Sequence, residues 1–318
     1  MTAHAARRLY MLSFDHRGSF KQGLMGITGK PTQQERQRIS TLKTLIYEGF
    51  KRAIADGAPR DCCAVLVDEE FAAEIARSAR RDAFTLAMPV ERSGEDEFSF
   101  EFGEQFAAHV QAFDPDFAKV LVRYNPDGDR ALNRRQAGRL ARLSGWLRAT
   151  DRKLLFELLV PATADQLERV AHDQDAYDRD LRPELVVRTI AALQDAGVEP
   201  DIWKIEGLET RADCERAVAQ ARSGGRAGVD CVVLGRGANL ARVAHWLTTA
   251  APVAGYVGFA IGRTLWLDAL TERLAGRLER DAAIEQIAAN YRQMIDVYQT
   301  AAATMAAPQS ALAAQASQ

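Results

Sequence analysis

The sequence predicts an α/β protein folded as a single (β/α)8 (TIM) barrel, and three observations carry that expectation. Short apolar runs alternate with helical stretches eight times along the chain. Eight is also the strand number at which a parallel sheet closes with its interior filled by side chains. No GxGxxG motif follows the first apolar run, which disfavours an open, dinucleotide-binding sheet.

The strands are expected at 9–15, 62–68, 84–90, 117–124, 153–160, 202–207, 229–235 and 256–263. Between them lie charged segments rich in Ala, Leu and Arg, with apolar positions at helical spacing, as in 132–149 and 210–222. Strand, helix, strand, repeated, requires a parallel sheet covered by helices. The longest connections are near 16–31, 91–101 and 172–183. The first two follow strands one and three, where active-site loops of barrels belong. The third falls in the crossover between strands five and six and is expected to be an extended loop covering the site. A final helix at about 277–300 closes the outer ring. Residues 1–300 are thus expected to form one domain, with 301–318, rich in Ala, Gln and Ser, as a frayed or disordered tail.

A content of 47% hydrophobic and 26% charged residues in 318 is that of a soluble globular chain able to bury a large core. The formal net charge of -2 gives no polyanion-binding surface, so nucleic-acid and membrane-surface roles are disfavoured. Cysteines at 62, 63, 214 and 231 show no CxxC spacing and read as reduced, mostly core residues. The N-terminal stretch lacks the apolar segment of a signal peptide, and no run of about 18 apolar residues occurs elsewhere. A cytoplasmic protein is expected. Barrels of this size commonly self-associate, but no surface pattern identifies an interface.

The chemistry is sought in charges within or just after the strands, because a charge inside an apolar barrel is costly unless paired or functional. Strand one ends in Asp15 and Arg17; strand four carries Lys119 and Arg123; strand five has Glu157 in its middle. Strand six has Lys204 and Glu206, two apart and so on one face. Strands seven and eight end in Gly235-Arg236-Gly237 and Gly262-Arg263. Closure brings most of these to one end of the barrel.

Lys204, between Trp203 and Ile205 in a buried strand, is the candidate nucleophile. A free lysine titrates near 10.4, about three units too high, and desolvation or a nearby cation such as Lys119 lowers that value. A neutral amine attacks a ketone, loses water and forms an iminium that withdraws electrons as a C–C bond breaks. Glu157 or Glu206 is a candidate proton shuttle, and Asp15 and Arg17 are candidates for orienting substrate hydroxyl or carboxylate groups. The glycines at 235, 237 and 262, with Arg236 or Arg263, suggest a phosphate site at the loops where barrels often hold one. Bland readings stand beside these. The inner charges are also compatible with a salt-bridge network, Asp15 with a turn cap, Arg123 with a pair to an outer helix, and the glycine–arginine segments with solvated turns.

The histidines at 4, 16, 109, 172 and 245 form no HxH or HxxxH pair, and only His16 sits beside the proposed site. GxSxG and GxxxxGK[ST] motifs are absent. No metal and no cofactor are expected.

The segments FDHRGSFK (14–21), FAKVLVRYNPDGD (117–129), LLFELLVP (154–161), WKIEG (203–207), VVLGRGA (232–238) and FAIGRTLW (259–266) resemble one superfamily of class I (Schiff-base) TIM-barrel aldolases. The likeness is greatest to the 2-deoxy-5-keto-gluconate 6-phosphate aldolase domain of inositol catabolism, and extends to tagatose-bisphosphate and sulfosugar-phosphate aldolases. It runs in order over most of residues 9–270. The resemblance implies that Lys204 is the Schiff-base lysine, and that Asp15, Arg17, Lys119 and Glu157 match substrate and proton-transfer positions. Arg263, with its nearby glycines, matches the phosphate-binding arginine. Three departures bear on the substrate: His16 stands where tagatose-type enzymes have glutamine, IEGLET replaces a more proline-rich segment, and LGRGA replaces a serine-containing phosphate loop. The expected activity is cleavage of a phosphorylated keto-sugar or keto-sugar acid. Two alternatives stay open: an isomerase or epimerase using Glu157 and Glu206 without a covalent intermediate, and a non-catalytic phosphosugar-binding barrel.

Overall fold

A computed structural model of the chain describes residues 8–304. Eight parallel strands close in chain order: β1 (Leu9–Ser13), β2 (Cys63–Leu66), β3 (Thr85–Pro89), β4 (Phe117–Arg123), β5 (Lys153–Leu159), β6 (Ile202–Glu206), β7 (Asp230–Leu234) and β8 (Tyr256–Ile261). Each lies inside the apolar run that predicted it. The (β/α)8 barrel is the fold of this chain.

The outer layer holds α1 (Gln33–Ala55), α2 (Glu69–Arg81), α3 (Phe106–Phe113), α4 (Arg130–Ala149), α5 (Ala164–Arg169), α6 (Gln174–Ala176), α7 (Arg182–Asp195), α8 (Arg211–Ala221), α9 (Leu240–Ala250), α10 (Arg263–Leu274) and α11 (Arg280–Ala303). Short polar side chains start many of these helices by accepting free first-turn N–H groups: Thr32 with Glu35 as a capping box, Asp68, Asp129, Thr210 and Asn239. The last helix runs three residues beyond its expected end, through Ala303. The rest of the expected tail, 305–318, lies outside the described residues. No helix among the described residues is long and apolar enough to cross a membrane.

Strand alternation sorts the side chains into two cores. Residues such as Tyr10, Leu12, Val65, Phe156 and Trp203 point outward and pack beneath the helices. Their neighbours Leu9, Met11, Leu66, Phe117, Leu155 and Ile202 point inward and fill the lower barrel. Two to four residues further along the same inward rows, the side chains become charged. Met11 leads through Ser13 to Asp15, Phe117 to Lys119, Leu155 to Glu157, and Ile202 to Lys204 and Glu206. An apolar floor thus carries a charged layer at the C-terminal end, where the βα loops open.

Candidate active site

The charged layer centres on Lys119, which is 1% exposed. Its ammonium meets Asp15 Oδ2 at 2.9 Å, Glu91 Oε1 at 2.8 Å and Glu157 Oε2 at 3.0 Å. Glu157 Oε2 also lies 3.1 Å from Lys204 Nζ. Registry explains this: Glu157 pairs with Leu121 on one side and Lys204 on the other, so β5 sets its carboxylate between the lysines of β4 and β6. Lys204 is 2% exposed, and among the described residues Glu157 is its one ion-pair partner.

Burial and charge pull these groups in opposite directions. Burial penalises the Lys119 ammonium, but Asp15, Glu157 and Glu91 together hold its pKa well above the ordinary lysine range. Burial would raise Asp15, yet Lys119, with His16 and Lys204, keeps it below the usual carboxylate range. Glu157 behaves in the same way: burial is outweighed by Lys119 and Lys204, and its pKa is lowered. For Glu91 burial wins over Lys119 and Arg17, and its pKa is raised.

These side chains line a cleft of about 750 Å³ that also takes in His16, Arg17, Arg123, Arg236 and Arg263. Arg17 is buried against the connection after β3; it donates to the Glu91 carbonyl at 2.6 Å and lies 3.3 Å from Glu101 Oε2. That connection folds into a small antiparallel flap in which Glu91 bridges to Phe100. Arg123 Nη1 donates to the flap carbonyl of Glu95 at 3.1 Å, so Arg123 braces the flap rather than an outer helix.

The residues expected after β6 and β7 divide. Glu206, 5% exposed, lies 3.1 Å from Arg236 Nε, and its Oε2 accepts the Val160 N–H at 2.9 Å. Burial raises its pKa despite the nearby Arg182 and Arg236. Arg236 also reaches Asp178 Oδ2 at 2.5 Å, and Arg182 lies 3.0 Å from Asp178 Oδ1. Asp178 comes from the 172–183 crossover, which forms α6 and a π-helical turn rather than an irregular loop. Arg236 and Glu206 are therefore neutralised by each other and by this crossover. Arg263 differs: it is exposed, makes no ion pair among the described residues, and donates Nη2 to the Arg236 carbonyl at 3.1 Å. Gly237, at φ +75°, leaves room for it, since a Cβ there would stand 2.9 Å from the Arg263 guanidinium. Gly235 and Gly262 line the same end of the cleft, and α10 begins at Arg263 without a side-chain cap.

Two features escaped the sequence. Glu91 lies in a loop, but the inward row of β3 (Ala87, then Pro89) continues to it, and that continued alternation was the available signal. Lys43 is fully buried on α1; it donates to the carbonyls of Phe14 and His16, each at 2.9 Å, and pairs with Asp68. Its place among Leu42, Ile46 and Phe50 on the inner helix face marks it as a strut holding the end of β1. Among the described residues no group of three or more His, Cys, Asp or Glu side chains is arranged to hold a metal ion.

The site is thus a closed barrel in which lysines from β4 and β6 share a β5 carboxylate at one end. The chain belongs to the family described as "Uncharacterized protein conserved in bacteria (DUF2090)", whose model matches residues 1–302. It is 24% identical over 200 residues to tagatose 1,6-diphosphate aldolase 1 of Streptococcus pyogenes serotype M1, covering 61% of this chain. That match spans 57% of the relative's length, and the serotype M3 (strain SSI-1) protein matches to the same extent. In fold it resembles Cgl0159 of Corynebacterium glutamicum, with a TM-score of 0.56, 19% identity, and coverage of 91% of this chain and 87% of that one. It also resembles a Schiff base-forming fructose-1,6-bisphosphate aldolase, with a TM-score of 0.53, 15% identity, and coverage of 91% and 94%.

Proposed function

We propose that the chain is a class I aldolase that cleaves a phosphorylated keto-sugar or keto-sugar acid through a Schiff base on Lys204. The observation that carries this reading is the shared carboxylate: Glu157 Oε2 lies 3.0 Å from Lys119 and 3.1 Å from Lys204 at the floor of an open cleft. Lys204 adds to the substrate ketone. Glu157 accepts the proton released from its nitrogen and returns it to the carbinolamine hydroxyl, which leaves as water. Lys119 stays an ammonium and holds Glu157, Asp15 and Glu91 in register. The iminium then draws the electron pair of the breaking C–C bond. Buried side chains already fixed in place make each of these charge shifts less costly than in water.

The substrate that the sequence resemblance implies is 2-deoxy-5-keto-gluconate 6-phosphate, with dihydroxyacetone phosphate and malonate semialdehyde as products. Its phosphate would meet Arg263 and the uncapped start of α10 at β8. Its carboxylate would extend toward Arg17 and Arg123 on the β1 and β4 side of the mouth. The neutralised Glu206–Arg236 pair weighs against Glu206 as half of an acid–base isomerase pair.

The test is borohydride trapping. Incubation with dihydroxyacetone phosphate and reduction is expected to add one adduct mass, on the peptide containing Lys204. Bound ligand with no lysine adduct would overturn the covalent reading. The phosphate assignment has its own check, because hydrogen bonds to a charged group are worth about 1.5–3 kcal/mol. Arg263→Ala is therefore expected to raise KM for the phosphorylated substrate roughly 10- to 100-fold with kcat little changed. An unchanged KM would move the phosphate elsewhere in the cleft.

A further inference from the structure

Aldol cleavage through an enamine needs two proton transfers away from the lysine nitrogen. The hydroxyl beside the breaking bond must lose its proton, and the enamine carbon must gain one before the ketone can leave. Of the carboxylates around Lys204, Asp15 and Glu91 are held by Lys119, and Glu157, set between the two lysines, serves the lysine nitrogen.

His16 is held differently. Its ring stands edge-on to Trp266, with centroids 5.3 Å apart. It also lies on the backbone of Gly262, where a Cβ would come within 2.7 Å of its Cε1. The ring therefore lines the cleft between β1 and β8, beside Arg263 and in the same cavity as Lys204. Its Nδ1 is buried with no hydrogen-bond partner among the described residues, and sits 4.0 Å from Asp15 Oδ1. A buried polar atom left unpaired in a cleft whose other charged groups are mostly paired calls for an explanation, and a ligand is one.

We infer that His16 takes the proton of the substrate hydroxyl next to the cleaved bond and then delivers it to the enamine carbon. This rests on the Schiff-base reading above. In the first step the O–H electron pair becomes the second bond of the departing aldehyde. The C–C pair enters the enamine, the iminium nitrogen becomes neutral, and His16 becomes an imidazolium. In the second step the enamine carbon takes that proton, the iminium re-forms and the ring is neutral again; water then releases the ketone and Lys204. The groups facing His16 suit this cycle. Burial, against Asp15 but with Arg263 and Lys204, pushes its pKa down to about 4, so the resting ring is a neutral acceptor. The brief imidazolium is countered by Asp15 and gives up its proton readily.

With dihydroxyacetone phosphate alone the same group must remove and replace the carbon-bound proton that becomes the enamine position, so NMR-detected deuterium exchange there reads the second step directly. His16→Asn and His16→Ala are both expected to keep the borohydride adduct on Lys204 while slowing exchange about 100-fold or more, the usual scale of general acid–base catalysis. Retention of the adduct shows that the variant site is folded. Exchange at the wild-type rate in both variants would overturn the relay, and so would loss of the adduct together with exchange, which would make His16 a binding residue. Failure of the wild-type protein to form any adduct would instead remove the Schiff-base reading, and the relay with it.

Discussion

Replacing Lys204 with Met is expected to abolish turnover and borohydride trapping together while leaving the barrel folded. The side chain is 2% exposed in β6, flanked by Trp203 and Ile205, and methionine fills nearly the same volume without an amine. The substitution removes one buried cation, but Glu157 keeps Lys119 at 3.0 Å, so no carboxylate is left unpaired. Breaking a buried pair from one side costs about 3–5 kcal/mol, and the surviving Lys119 contact offsets part of that cost, so the variant is expected to be destabilised but folded. The kinetic consequence is of another order, because loss of a covalent nucleophile costs roughly 10⁴- to 10⁶-fold in kcat. Cleavage would be followed by release of dihydroxyacetone phosphate, trapping by intact-protein mass, and folding by urea denaturation. Activity above about a few per cent of wild type, against that scale of loss, would end the assignment of Lys204 as nucleophile.

How far the sequence carried these expectations depended on the reach of strand alternation. A single period of two places Lys119, Glu157 and Lys204 on inward rows above Phe117, Leu155 and Ile202, and eight repeats bring those rows to one rim. That is why the fold and the meeting of these three charged side chains were legible. Glu91 was not, because its row leaves β3 at Pro89 and crosses into a loop whose course depends on Arg17 and Arg123. Arg236 shows the opposite failure. Its glycine neighbours suggested an anion site, but the partner that neutralises it, Asp178, arrives from a crossover 58 residues earlier. Periodicity does not encode such a contact. The role expected for Lys119 also changes. As a bare cation it was expected to depress Lys204, whereas in the folded chain three carboxylates surround it and it acts first as their counter-ion.

That counter-ion role makes Lys119→Met the inverse of the Lys204 experiment. Removing Lys119 leaves Asp15 and Glu91 without their ammonium and leaves Glu157 with Lys204 alone. Breaking a buried pair from one side costs about 3–5 kcal/mol, because the orphaned charge stays in a low dielectric. The cost must depend on pH, and its direction follows from the shifts. Lys119 has a folded pKa above its unfolded value, so its contribution is fully present below about pH 10.4 and is lost as pH rises through the folded value. Asp15 and Glu157 have folded values below their unfolded ones. Their contribution is present above about pH 4 and is lost as pH falls through the folded values. Between these limits Lys119, Asp15 and Glu157 keep their full contribution, whereas Glu91, whose folded pKa burial raises, costs stability once it is ionised. In the variant the unpaired carboxylates titrate at higher pH, so protonation relieves their repulsion well before the wild-type cluster begins to weaken. Urea denaturation of the two proteins is therefore expected to show a stability gap of about 3–5 kcal/mol at neutral pH that narrows on acidification toward pH 5. A gap that stays constant or widens over that interval would mean that Lys119 stabilises the barrel by packing rather than by balancing Asp15, Glu91 and Glu157.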